Sequence, residues 1–286
     1  MNIAILRRRG LGKGSCLGIQ RFLLEDFNRD VNIIMNDNIP KDNFDICIRW
    51  GCTSTIIANH IVNKAKFIHL ANNKKESRML LQNSGVSVPR SIFSKENDLT
   101  INYPLIGRQE YHSQGRNLKV INNLEELEND NTSAYWSEYI SKEKEFRVYT
   151  FFGKVILVAE KVPTEKGKKE IAWNRYLGNS SFENVRWNEW PIKVCVEALK
   201  AIEVIPIDFS GVDVMVKGNN VYILELNSAM SLTSDYRKQC FSKAFNWLFG
   251  KVEELGKLPE HYPLPDNVRN YRDLIHSAIK ERENDQ

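Results

Sequence analysis

Residues 211–228 read GVDVMVKGNNVYILELNS, and they limit the fold more than any other stretch. Two β-rich runs flank Gly218-Asn219-Asn220, which marks a hairpin. With those three residues as the loop, Lys217 faces Val221 and Asp213 faces Glu225. Side chains alternate along a strand, so Asp213, Glu225 and Asn227 share one face. The other face carries Val212, Val214, Val216, Tyr222, Leu224 and Leu226, all suited to a core. Two carboxylates opposed across a hairpin repel each other. A cation between them removes that cost, and carboxylate and amide oxygens are hard ligands of the type that holds magnesium beside nucleotide phosphates. The hairpin alone also allows a plainer arrangement, an amphipathic ribbon with its acids in solvent.

A chain of 286 residues can bury a sizeable core and suits one large or two to three small domains. No apolar run approaches the roughly 20 residues that a membrane-spanning helix needs, so no membrane role is expected. Met1–Leu6 enters an apolar strand with no basic leader, which argues against a signal peptide. The five cysteines (16, 47, 52, 195 and 240) are an odd number without a C-x-x-C pair, and read as free thiols of a reducing cytoplasm. A net charge of +4 suits anionic small molecules; it is too weak to indicate a nucleic-acid partner, and does not forbid one.

The first 70 or so residues alternate strands and helices, as a small unit with a parallel sheet does. Strands are expected at Asn2–Leu6, Val31–Met35 and Asp45–Arg49, and helices at Cys16–Phe27 and Ile56–Asn63. Gly10–Ser15 is a glycine-rich turn without the spacing of a P-loop or dinucleotide fingerprint. It can hold an anion at a helix start or be a tight turn. A helix is expected over Asn73–Ser84, strands at Tyr103–Arg108, Leu118–Ile121 and Ala134–Ile140, and a hairpin of Phe146–Phe152 with Val155–Val162. Helices are expected at Lys193–Glu203 and Gln239–Leu255, and residues 256–286 are rich in proline and charge.

Other polar features follow a definite order. Arg108 ends a strand, and His112-Ser113-Gln114-Gly115-Arg116 forms a small-residue loop whose N–H groups can close over phosphates. Glu138-Tyr139-Ile140 ends an apolar strand broken by one acid. Glu145 and Arg147 lie two apart on one strand face, Lys161 is on the return strand, and Asn174 lies beyond a charged loop. Taken singly, each also reads as an ordinary surface charge or ion pair.

From about Asn73 to Ser231 this order resembles the ATP-grasp superfamily of carboxylate–amine ligases, and within it is similar to a bacteriophage-type branch. The resemblance implies an α/β (α+β) ATP-grasp fold that holds nucleotide between two α+β subdomains. It divides the chain into a pre-grasp domain (1–70), a nucleotide-binding subdomain (71–140), a metal-binding catalytic subdomain (141–255) and a C-terminal extension (256–286). Arg108 stands where the family usually has a phosphate-contacting lysine, and arginine binds phosphate bidentately. His112, Ser113 and Gly115 match the glycine loop, though with a single glycine. Glu138, Tyr139 and Ile140 match the adenine hinge. Glu145 and Arg147 match an acidic-x-Arg strand, and Asp213, Glu225 and Asn227 match the metal strands. The Arg7-Arg8-Arg9-Gly10 run and the Trp50-Gly51-Cys52-Thr53 turn are not general family features; they either touch the variable substrate or are plain structure, the second being favoured.

The implied reaction has two steps. A substrate carboxylate takes the γ-phosphoryl group of ATP, and an amine then displaces phosphate from the acyl phosphate to leave an amide. Asp213, Glu225 and Asn227 would hold one or two Mg2+ ions, with Mn2+ as a substitute. Arg108, Lys161 and Arg147 would offset phosphate charge, or Arg147 would clamp the acyl phosphate or the substrate carboxylate, and Asn174 would donate near the γ-phosphate or supply a further metal ligand. Glu145 and His112 are the candidate bases. Partners are a small-molecule or peptide carboxylate and an amine acceptor; a homodimer is compatible with the sequence. The location implied is the cytoplasm, or the host cytoplasm for a phage-encoded chain. A nucleotide-binding module without turnover and a small-molecule kinase are the alternatives.

Overall fold

The computed structural model describes residues 1–96, 100–111, 117–174 and 177–263. In the N-terminal unit, β1 (Ile3–Arg7), α1 (Lys13–Phe27), β2 (Asn32–Met35), β3 (Phe44–Trp50) and β4 (Ala58–Val62) build a parallel sheet ordered β2-β1-β3-β4. β1 is buried at all five positions, as befits a strand covered on both faces. The helix expected at Ile56–Asn63 is instead β4. Its run Ile56-Ile57-Ala58-Asn59-His60-Ile61-Val62 is too short for periodicity to decide, and its β-branched residues suit the ladder with β3.

Helices α2 (Ala65–Asn72) and α3 (Lys74–Asn83) lead into a small antiparallel sheet. Its elements are β5 (Ser91–Ile92), β6 (Leu105–Arg108), β7 (Lys119–Ile121), α4 (Leu124–Asn129) and β8 (Tyr135–Glu138), with strands ordered β5-β8-β6-β7. Ile92, Leu105, Ile121, Leu127 and Trp136 form its core.

The third sheet is antiparallel and ordered β11-β10-β9-β12-β13. It comprises β9 (Lys144–Phe151), β10 (Lys154–Pro163), β11 (Ser180–Asn184), β12 (Phe209–Lys217) and β13 (Asn220–Asn227). α5 (Ile192–Val204) precedes β12, and α6 (Asp235–Leu255) follows β13. One face carries Phe146, Val148, Val158, Val212, Val214, Ile223 and Leu226 and is covered by α5 with α2 and α3. The opposite face is divided. At one end Tyr149, Phe151, Leu157 and Phe209 share a core with β1, β3, α1 and α6. At the other end the face is charged.

The acidic hairpin closes differently from expectation. Its turn has two residues, Gly218 and Asn219, so Lys217 pairs with Asn220, Val216 with Val221 and Val214 with Ile223. A shift then leaves Leu224 as an extra residue, and Asp213 faces Glu225 as expected. The bulge exchanges the faces on its turn side. Ile223 is in the core, and Tyr222 pairs with Met215 on the face of Asp213. Tyr222 and Leu224, expected in the core, are only half-buried.

Candidate active site

The charged end of the large sheet is assembled by register. Asp213 on β12 lies between Arg147 on β9 and Glu225 on β13, while Lys161 on β10 follows the Glu160–Phe146 pair. Arg147 grips Asp213 with two bonds, Nε to Oδ1 at 2.6 Å and Nη2 to Oδ2 at 2.7 Å. Burial lowers the arginine's pKa, but Asp213 more than reverses this and holds it above its usual value. The guanidinium also sits 4.8 Å from the ring centre of Phe182 on β11.

Beside this pair lies a buried triad. Glu145 is 2% exposed and accepts hydrogen bonds from both Lys161 and Lys142, the latter at 2.6 Å. Burial alone would raise the Glu145 pKa, but the two ammonium groups outweigh it and keep the carboxylate below its ordinary range. Burial also acts against charge on both lysines. Glu145 overcomes it for Lys161, which is raised, and not for Lys142, which stays lowered with Lys161 and Arg108 adding repulsion. The Lys142 ammonium stands 4.6 Å from the ring centre of Trp173.

Asn227 links the two acids of the hairpin. Its Nδ2 donates to Glu225 Oε1 at 3.1 Å and reaches Asp213 Oδ2 at 3.4 Å. Lys74, from the first turn of α3, places Nζ 3.4 Å from Glu225 Oε2. The donor set fits a hard divalent cation: two carboxylates and an amide converge within hydrogen-bonding distance, and an amide flip presents the Asn227 oxygen. Such an ion would share or displace the cations that now neutralise Asp213 and Glu225.

The small sheet faces this region. Arg108, at the end of β6, donates from Nε to Ser137 Oγ at 3.4 Å and lies within electrostatic reach of Lys142. Glu138 ends β8, and its carboxylate accepts from the backbone and side chain of Asn102. Tyr139 N–H donates to Pro104 O, and Lys142 N–H to Ile140 O. Asn174 is buried between β10 and β11, and its carbonyl accepts from Asn179 N–H. His112, Ser113 and Gly115 lie outside the described residues.

Sequence reasoning missed several participants. Lys142 carried a signal, three residues before Glu145 in a polar turn. Lys74 and Arg78, one helical turn apart on α3, were hidden among the charges of a helix with an ordinary solvent face. Phe182 and Trp173 gave no signal. Together Lys74, Arg108, Lys142, Arg147 and Lys161 outnumber Glu145, Asp213 and Glu225, so the region is electropositive and suited to a polyphosphate.

Charged groups of the small sheet and of the large one thus come within electrostatic reach of one another, an arrangement of the ATP-grasp class. A family model described as ATP-grasp domain matches residues 71–232, more than half of the chain, and the chain belongs to that family. Solved structures share the fold at low identity. D-alanine–D-alanine ligase from Bacillus anthracis is 16% identical, with 89% of this chain and 98% of that one covered and a TM-score of 0.60. The ATP-grasp ligase PsnB, solved with a minimal precursor, is 11% identical over 86% of this chain and 98% of its own, with a TM-score of 0.61. N5-carboxyaminoimidazole ribonucleotide synthetase from Thermotoga maritima is 14% identical over 92% and 79%, with a TM-score of 0.55. No match was found among curated proteins. No helix among the described residues is long and apolar enough to cross a membrane.

Proposed function

We propose that the chain is an ATP-dependent carboxylate–amine ligase that works through an acyl phosphate. The observation that supports this best is the convergence of Asp213, Glu225 and Asn227 on one sheet face, flanked by Arg147 and by the Lys161–Glu145–Lys142 triad. In the first step a carboxylate oxygen of the substrate bonds to the γ-phosphorus, and the bond to the β-phosphate oxygen breaks to release ADP. In the second an amine nitrogen bonds to the acyl carbon, phosphate leaves and the nitrogen loses a proton.

Phosphoryl transfer needs positioning and charge neutralisation above all. Arg108 and Lys161 bind the phosphates, and Arg147 turns from Asp213 to the transferring phosphoryl group or the substrate carboxylate. Glu145, held ionised by two lysines, is a weak proton acceptor; it fixes Lys161 in place. Asn174 donates near the γ-phosphate, and residues 138–140 take the adenine. Asp213, Glu225 and Asn227 would hold one or two Mg2+ ions, or Mn2+ in their place, which when bound neutralise phosphate charge. To Ser113–Gly115 and His112, which lie outside the described residues, we assign the cover of the triphosphate that keeps water from the reactive intermediate. We further assign 1–70 as the pre-grasp domain, 71–140 as the nucleotide subdomain and 141–255 as the catalytic subdomain. The neighbour PsnB was solved with a peptide precursor, and a peptide or small-molecule carboxylate is the acid we assign.

The test is incubation with ATP, Mg2+ and pools of amino acids, peptides and polyamines, following ADP, phosphate and product masses. An amide product that depends on both acid and amine supports the ligase. A stable phosphorylated product that hydroxylamine does not cleave, with no amide from any amine, or tight ATP binding with no ADP from any pool, would overturn it.

A further inference from the structure

Glu225 faces Asp213 only because of the bulge at Leu224. On the turn side of the bulge, Val214 pairs with Ile223 and Met215 with Tyr222. Continued one step, that ladder would put Leu224 opposite Asp213 and turn Glu225 to the face of Ile223, into the apolar core. The hairpin therefore has two competing registers, and only the bulged one keeps both carboxylates on the same face.

β13 is the outer strand of its sheet, so among the described residues its far edge has no strand partner. α3 and the segment after it take that place. Lys74 Nζ reaches Leu226 O at 3.4 Å, and Ser87 accepts from Ile223 N–H at 2.8 Å while its Oγ donates to Val221 O at 2.5 Å. Between these two lies Arg78. Its Nη1 donates to Ile223 O at 3.1 Å and its Nη2 to Leu224 O at 2.7 Å, so one planar fork spans the two consecutive carbonyls of the bulge. Consecutive carbonyls in a regular strand point to opposite sides; a bulge brings them to one side.

Arg78 is 3% exposed, and burial pushes its pKa down to about 10, with Arg108 adding repulsion and Tyr135 and Glu225 opposing. Two neutral carbonyls return only part of the cost of burying a guanidinium, so an apolar side chain would fill this volume at lower cost. What an apolar side chain lacks is the fork.

We infer that Arg78 is a positioning residue: its two bonds hold the Ile223–Leu224 bulge and so keep Glu225 opposite Asp213. The link to catalysis rests on the proposed metal role of those carboxylates; the link to register does not. A lysine can supply the charge but only one point of attachment. The residue acts through the hairpin and has no direct contact with the reacting groups.

Arg78→Lys and Arg78→Met test this, with Ser87→Ala as a control that loosens the same edge away from the bulge. Amide hydrogen exchange is read first. In both Arg78 variants, exchange at residues 211–213 and 225–227 is expected to speed up at least tenfold more than at the turn end, Lys217–Asn220. Ser87→Ala is not expected to reproduce that localisation. Mn2+ binding with ADP present, followed by electron paramagnetic resonance, is read second. Arg78→Met is expected to weaken it at least tenfold, Arg78→Lys less, and metal-free ADP affinity should stay within threefold. Wild-type exchange in Arg78→Lys, or acceleration spread evenly along the hairpin, would overturn the inference. If Arg78→Met does not fold, Arg78→Lys decides. If the wild-type protein binds no Mn2+ with ADP, the metal assignment fails, and the exchange result still decides whether Arg78 sets the register.

Discussion

Glu145 shows how far a single side chain departs from its sequence context. In the sequence it is the acid of an acidic-x-Arg pair and a candidate base; in the fold it is buried between Lys142 and Lys161. Glu145→Gln keeps the volume and leaves two buried cations without their counter-charge. We expect a loss of about 3–5 kcal/mol in urea unfolding at pH 7. The pH dependence has a definite sign. The folded pKa of Glu145 lies below its ordinary value of 4.5, so its contribution is complete above that value and is lost as pH falls through the folded one. The gap between wild type and Glu145→Gln should therefore narrow as urea midpoints are measured from pH 5 downward; a constant gap would show that the triad does not titrate as described.

The acids of the hairpin carry a different expectation. Asp213→Asn and Glu225→Gln should abolish Mg2+-dependent ADP release. Near-ultraviolet circular dichroism should stay native in Glu225→Gln, whose carboxylate is half-buried, whereas Asp213→Asn also leaves the buried Arg147 without its counter-charge and should lower the urea midpoint. Arg147→Ala should cost about 2–5 kcal/mol of transition-state stabilisation, read from kcat/KM, if it pairs with the transferring phosphate in a dry site. These residues were legible because Asp213, Glu225 and Arg147 sit in short patterns with fixed spacing. Phe182 was not, because its place over Arg147 and Lys161 is set by the β10–β11 register, which nothing in residues 180–184 announces.

At the scale of elements, the hairpin is the instructive case. Alternation alone put Asp213 and Glu225 on one face and assigned a three-residue turn; the structure reaches the same opposition with a two-residue turn and a bulge. The two solutions place the same number of residues between the acids, so the pattern around Asp213 could not separate them. The difference shows nearer the turn, where Ile223 rather than Tyr222 is in the core. β4 was misread for a related reason: the short run 56–62, apolar except at Asn59 and His60, satisfies either period, and only its ladder with β3 decides. Helix α3 carries a prediction at this scale. Asn73 caps it by accepting from Glu76 N–H at 3.1 Å and donates to Glu110 Oε1 at 2.7 Å, tying the helix to the chain after β6. Asn73→Ala should cost about 1 kcal/mol for the lost cap. Asn73→Asp keeps the cap acceptor but sets a carboxylate against Glu110, so it should weaken the tie. Equal urea midpoints for wild type and both variants would show that neither contact matters.

For the whole molecule, the sequence separated an N-terminal α/β unit from the grasp but gave no hint of how they join. Their union is a shared core. Trp50 at the end of β3 packs on Phe209 and Phe241, with ring centres 5.3 and 5.7 Å apart. Ser15 in α1 accepts from Leu232 N–H and donates to Met230 O, holding the loop that follows β13. Gly51, at φ +64°, lies so close to Ala229 that an added Cβ would fall 2.4 Å from its side chain. The loops at the C-terminal end of the parallel sheet thus press directly on the residues after Asn227. Interiors packed this closely do not divide without leaving apolar surface in water. A chain lacking residues 1–62 would expose Tyr149, Phe209, Phe241 and Phe245, all fully buried here. We expect that fragment to bind 8-anilinonaphthalene sulfonate and to associate at micromolar concentration. The full chain should unfold in one transition, with circular dichroism and tryptophan fluorescence coinciding. A monomeric fragment with its own cooperative melt would show that the N-terminal unit is an independent module docked on the grasp. In that case the contacts of Ser15 and Gly51 would not couple the two parts into one folding unit.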